Sequence, residues 1–98
     1  MRKVTEEIIK AFMSARDFKL SNSEVKRDEH GIAKMYLFGN LIAERNGNKV
    51  RVTMAGYPTN TTRERLNGIP NVSIIQKNYK QYLNGKEMDI NAWYELTL

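Results

Sequence analysis

The residue types able to do chemistry in this sequence are cations, tyrosines and threonine hydroxyls, while nucleophiles and metal ligands are scarce. There is no cysteine, which removes thiolate nucleophiles, disulfides and Cys-type zinc or iron–sulfur sites. The single histidine, His30, precedes Gly31 in a polar run, where it reads as a solvated loop residue, and one histidine cannot build a histidine-based metal site. The carboxylates Asp17, Asp28, Glu29, Glu44, Glu64, Glu87, Asp89 and Glu95 show no spacing specific to a paired acid and base or to a calcium loop. The glycines fall in turns and at a helix end rather than in a phosphate-binding loop. The expectation is therefore a protein with no cofactor, no metal and no catalytic residue.

Two constellations remain. In Tyr57-Pro58-Thr59-Asn60-Thr61-Thr62-Arg63-Glu64-Arg65, hydroxyls, the free amides of a helix start and two arginines converge. A phosphate could rest on the amides of Thr62 and Arg63, with Arg63 or Arg65 adding a charged fork. The same residues also read as a plain cap, because Thr61 and Glu64 have the S/T-x-x-E spacing of a capping box and Glu64 would oppose an anion. The second constellation interleaves Arg45, Lys49, Arg51, Lys77, Lys80 and Lys86 with Tyr36, Tyr79 and Tyr82 on expected strands and turns. That mixture suits single-stranded nucleic acid, whose bases stack on aromatic faces while cations follow its phosphates. Tyrosine is also an ordinary strand residue with one side of its ring in a core, and no RNA-recognition, zinc-finger or helix-turn-helix signature accompanies the pattern.

The elements that must position these residues follow from periodicity. Val4, Ile8, Ile9, Phe12 and Ala15 recur at helical spacing, giving an amphipathic helix over about 5–15 with Thr5 as its cap. The run 21–31 is polar and reads as a loop or a short edge strand. Residues 32–38 favour a strand, Gly39-Asn40 a two-residue turn, and 41–45 the returning strand. Asn46-Gly47 turns the chain again into Lys49–Met54, where Val50, Val52 and Met54 alternate with Lys49, Arg51 and Thr53 and make one sheet face basic. A short helix from Thr61 to about Asn67 stops at Gly68, read as a left-handed terminator, ahead of Pro70. Val72–Ile75, a turn at 77–79, Lys80–Leu83, Asn84-Gly85 and an apolar tail with Trp93, Leu96 and Leu98 complete the chain. The expected class is α+β: an N-terminal amphipathic helix packed on an antiparallel sheet of hairpins, with a short second helix inserted, in the order α-β-β-β-α-β-β.

Ninety-eight residues with 41% hydrophobic content suit one domain, 1–98, with a modest core. No apolar run approaches the roughly 20 residues that span a bilayer, and the start Met1-Arg2-Lys3-Val4-Thr5 lacks the apolar block of a signal peptide, so no membrane partner is expected. A formal charge of +5 favours a polyanionic or acidic partner.

The stretch Thr59-Asn60-Thr61-Thr62-Arg63-Glu64-Arg65-Leu66-Asn67-Gly68-Ile69-Pro70, followed by Val72-Ser73-Ile74-Ile75-Gln76-Lys77 and Tyr82-Leu83-Asn84-Gly85-Lys86-Glu87, resembles a family of small tailed-bacteriophage proteins. Leu37-Phe38-Gly39-Asn40-Leu41-Ile42-Ala43 is similar to that family's first hairpin, so the likeness runs from about Val4 to Asp89. The resemblance implies a phage accessory product made in the bacterial host cytoplasm, and it transfers no catalytic residue. The functions to weigh are nucleic-acid binding through Arg45, Lys49, Arg51, Thr61, Thr62, Arg63, Arg65, Lys77, Tyr79 and Lys80; occlusion of a host bacterial protein; and a virion or assembly role. An exposed edge strand would also allow a homodimer.

Overall fold

A computed structural model describes residues 2–98. The chain runs through helix α1 (Lys3–Met13), strands β1 (Phe18–Leu20), β2 (Ser23–Arg27), β3 (Ala33–Leu37), β4 (Asn40–Asn46) and β5 (Lys49–Val52), helix α2 (Asn60–Asn67), and strands β6 (Ile74–Lys77), β7 (Lys80–Leu83), β8 (Lys86–Met88) and β9 (Tyr94–Thr97). The class is α+β, with the helix first and a second helix inserted between runs of antiparallel strands, as expected. Six strands form one sheet in the order β1-β2-β3-β4-β5-β9, and β6-β7-β8 form a second. The C-terminal strand thus returns from beyond the small sheet to pair with β5 at the edge of the large one.

One face of the large sheet is covered by α1, which also touches α2. Ile8, Ala11 and Phe12 of α1 meet Val25, Ala33, Met35, Ala43, Val50 and Val52 in a core that extends through Leu66 and Ile69 to Ile74, Leu83 and Met88 of the small sheet. The other face of the large sheet is solvated and carries the alternate residues of each strand.

Several local expectations change in the fold. The polar run 21–31 is loop only at its ends, because Ser23–Arg27 form β2, an interior strand paired on both sides rather than an edge. Ser23 and Val25 turn inward while Glu24 and Lys26 face water, and Asp17 accepts the Arg27 N–H at 2.7 Å. Polar composition concealed an interior strand that has one wet face. Helix α1 begins two residues earlier than its spacing suggested, at Lys3, so Thr5 is a fully buried helical residue rather than a cap. The cap of α2 is Thr59 and not Thr61: the Thr59 hydroxyl accepts the Thr62 N–H at 3.1 Å, and Glu64 reaches Thr5 and Arg2 instead of closing a capping box.

Two turns are displaced by one residue. The β3–β4 turn is Phe38-Gly39, with φ of +50° and +80°, and the β4–β5 turn is Gly47-Asn48. The β6–β7 turn is Asn78-Tyr79, whose residues both have positive φ as a tight hairpin of this kind requires. Strand β5 ends at Val52, and Thr53 is buried rather than part of a basic face. Gly68 is right-handed (φ −72°, ψ −20°) and is not a left-handed terminator. A Cβ there would lie 2.6 Å from Ile9 Cγ1, so the glycine is required by the close approach of α1.

Candidate nucleic-acid interface

The fold sorts the sequence's cations into those used internally and those left to solvent. Arg65 belongs to the first group. Its side chain is 2% exposed and lies where α1, α2 and β2 meet. Its guanidinium donates to Ser23 Oγ at 2.9 Å, Thr5 Oγ1 at 2.7 Å, Glu64 Oε1 at 2.9 Å and Asn22 Oδ1 at 3.2 Å. Burial lowers the Arg65 pKa from its ordinary value, and the Glu64 carboxylate opposes that shift. Glu64 in turn is held below the usual carboxylate range, first by the Thr5 hydroxyl and then by Arg2. The network is closed, with every buried side-chain polar atom among the described residues partnered.

Arg45 is consumed in another way. It stands on the α1 side of the large sheet and donates to the carbonyls of Phe12 at 3.1 Å, Met13 at 2.8 Å and Gly47 at 2.7 Å, which satisfies the C-terminus of α1. The start of α2 offers no open anion site either, because Thr59 takes the Thr62 N–H through its hydroxyl and the Arg63 N–H through its carbonyl. Thr62 is buried, and Thr61 is half-buried in the first turn.

Lys49 and Arg51 do lie on the solvated face of the large sheet, but that face is mixed in charge. Arg51 sits 3.7 Å from Glu44 and packs 4.9 Å from the Trp93 ring, and Lys49 donates to Thr97 Oγ1 at 3.1 Å. The basic and aromatic residues expected together on strands and turns are therefore divided, with Lys49 and Arg51 on one surface and Lys77, Tyr79 and Lys80 on another.

The second surface is the outer face and tip of the small sheet. Ile74, Gln81 and Leu83 turn toward the core, while Ile75 opposite Tyr82 and Lys77 opposite Lys80 point out together. Ile75, Lys77, Asn78, Tyr82 and Gly85 border a shallow depression of about 370 Å³. At the tip Tyr79 is 95% exposed and holds φ +64°, a left-handed conformation that a bulky residue seldom adopts. Lys80 has one distant acidic neighbour, Glu87 at 3.8 Å. Behind the tip, Arg63 donates to Gln81 Oε1 at 2.8 Å, to Gln76 Oε1 and the Pro58 carbonyl at 3.1 Å, and to Asn60. All four partners are neutral, so Arg63 keeps an uncompensated positive charge against the base of this hairpin.

A third feature escaped the sequence reading. Phe38, at the β3–β4 turn, is 69% exposed, and with Tyr57 it flanks an apolar cleft of about 410 Å³ floored by Leu37, Ile42 and Met54. A bulky apolar residue beside Gly39 is the available signal, and Phe38, expected to end the 32–38 strand, lies outside it because its φ of +50° puts it in the turn. His30 is exposed in its loop, as expected. The loop is shaped by Asp28, which accepts the N–H groups of Ile32 and His30, each at 2.9 Å, and whose pKa these bonds depress, Ile32 foremost. No group of three or more metal-ligating side chains occurs among the described residues.

A family model described as Kyanoviridae Gp96 protein matches residues 1–97. The chain belongs to that family. Membership makes it a phage protein, in agreement with the likeness carried by its Thr59–Pro70 and Tyr82–Glu87 motifs, and the family description names no activity. Comparison with curated proteins and with solved structures returned no match.

Proposed function

We propose that this Kyanoviridae Gp96 family member is a non-enzymatic accessory protein that binds single-stranded nucleic acid through the small sheet. The observation that carries the reading is Tyr79, an almost fully exposed aromatic ring in a left-handed turn position between Lys77 and Lys80. Asparagine or glycine would relax that position, and residues held in such conformations concentrate where a ligand is engaged. Tyr79 and Tyr82 provide faces for bases, Lys77 and Lys80 follow phosphates, and Arg63 adds positive potential from behind.

The test is binding of short single- and double-stranded DNA and RNA across a salt series. Single strands are expected to bind with a log–log salt slope that falls by about 0.7 for each lysine reversed in Lys77→Glu and Lys80→Glu. Tyr79→Ala is expected to weaken binding by about 1–3 kcal/mol. Arg51→Glu, on the mixed-charge face, should leave both quantities unchanged. Absence of binding at low salt, or an equal loss in Arg51→Glu, defeats the proposal.

A second reading, occlusion of a host bacterial protein, is favoured by the Phe38–Tyr57 cleft, since exposed aromatic anchors over an apolar floor are typical of protein contacts. Capture of one host protein from nuclease-treated lysate, lost in Phe38→Ser and retained in Lys77→Glu, would replace the first reading with this one.

A further inference from the structure

Each sheet ends in edge strands, and the edges at β1 and β6 are blunted. β1 is three residues long and carries the exposed Lys19, which limits what can pair with it. On β6 the Asn67 side chain imitates a neighbouring strand, donating to the Ile74 carbonyl at 2.9 Å and accepting the Ile74 N–H at 2.6 Å. β9 is different. Leu98 N–H bonds the Asn48 carbonyl at 2.8 Å, and hydrogen-bonded pairs alternate along an antiparallel ladder, so Leu96 and Tyr94 turn their backbone toward β5. Glu95 therefore turns its N–H and C=O away from the sheet, where neither has a partner among the described residues. The Thr97 carbonyl, on the same side, accepts from Asn71 Nδ2 at 3.3 Å and closes that end.

This open edge borders a groove of about 370 Å³ between β9 and β8, with Leu83, Met88, Tyr94 and Leu96 among its walls. On the solvated face, directly opposed residues run Lys26, Lys34, Glu44, Arg51, Glu95 across the sheet from β2 to β9. The row alternates in sign over its last three members and ends on a carboxylate with no strand beyond it. Inside the sheet, β5 meets β9 with Val50-Arg51-Val52, two apolar residues facing Leu96 and Tyr94 and a cation facing Glu95.

We infer that the β9 edge is a strand-addition site for an extended segment of a partner protein with an apolar–basic–apolar pattern, a second β5 on the far side. The cation continues the charge alternation opposite Glu95, the flanking apolar side chains enter the groove beside Tyr94 and Leu96, and the segment's backbone takes the free N–H and C=O of Glu95. This surface is separate from the Lys77–Tyr79–Lys80 tip and does not depend on the nucleic-acid reading.

The experiment titrates the full-length isotope-labelled chain with a capped Thr-Val-Arg-Val-Thr peptide and follows the backbone amides by NMR. Saturable shifts are expected at Glu95 and Thr97 at about millimolar peptide or below. Replacing the peptide's arginine by glutamate should weaken binding about fivefold, as should Glu95→Lys in the protein. N-methylation of the arginine amide, which leaves the protein unaltered, should weaken it about tenfold or more. No shift at these amides, equal binding of the glutamate peptide, or indifference to N-methylation overturns the inference. So does concentration-dependent dimerisation in sedimentation that is abolished by Glu95→Lys and unaffected by the peptide, which would assign the edge to a second copy of this chain.

Discussion

Arg65 lies in the last turn of the second helix and Lys77 ends the strand that follows it, yet the fold treats the two cations in opposite ways. Arg65 is buried against Ser23, Thr5, Glu64 and Asn22, so its charge holds α1, α2 and β2 together. Lys77 stands in water beside the exposed ring of Tyr79, in a hairpin whose turn is strained rather than optimised. The first region has its polar groups matched internally and has nothing left for a ligand. The second has cations, an aromatic ring and a depression that the fold itself does not use. Counting basic residues therefore overstates the surface able to bind a polyanion, because a buried arginine and a solvated lysine contribute equally to net charge and very differently to an interface.

The contrast can be broken by removing each side of it. Arg65→Ala should produce the largest effect, a loss of about 3–5 kcal/mol in denaturant unfolding, because Thr5 and Ser23 would be left buried without their donor and the half-buried Glu64 would lose one of its two cations. Where the folded fraction is retained, its salt slope for nucleic acid should match the native one. An unchanged stability would mean that the junction is not the stabilising region described here. Gly68→Ala tests the same junction through packing. The added methyl meets Ile9 at a backbone position whose φ is ordinary, so a loss of about 1–3 kcal/mol is expected, whereas a position chosen only for conformation would tolerate or prefer alanine.

At the tip the signs should oppose one another. Tyr79→Gly relieves the left-handed strain and should raise stability by about 0.5 kcal/mol, while single-stranded nucleic-acid binding falls. Parallel loss of both would mean that Tyr79 is structural. The smallest effect is expected from acid. The Glu64 pKa is depressed below its ordinary 4.5 in the folded chain, so its contribution is fully present above that value and is lost as pH falls through the folded pKa. Stability measured from pH 7 downward should therefore decline below about pH 4.5, and the decline should be shallower in Glu64→Gln.

Much of the local structure was legible. The apolar spacing of Ile8 and Phe12 located α1, and Asn84-Gly85 located a hairpin whose two turn residues both have positive φ. β2 was not legible, because a strand with one wet face and a Ser23 turned toward a buried arginine has polar composition, and only its neighbours on both sides reveal it. The same limit applies to the candidate site. Lys77, Tyr79 and Lys80 were recognisable because they flank one turn, so adjacency in sequence ensured adjacency in space. Arg45 and Arg65 share only their basic residue type with that group, and their use inside the fold depends on partners 32 to 60 residues away.

The sequence by itself determined the α+β class, the amphipathic face of α1, the hairpin turns to within a residue, and the likeness to a phage family, since each of these depends on short-range periodicity or on contiguous motif residues. Only the tertiary structure decided which cations remain free, that Gly68 answers to the approach of Ile9, and that β9 crosses over to form an open edge at Glu95. Those outcomes arise from contacts between distant segments, whose burial and hydrogen bonding outweigh what any local stretch of chain prefers.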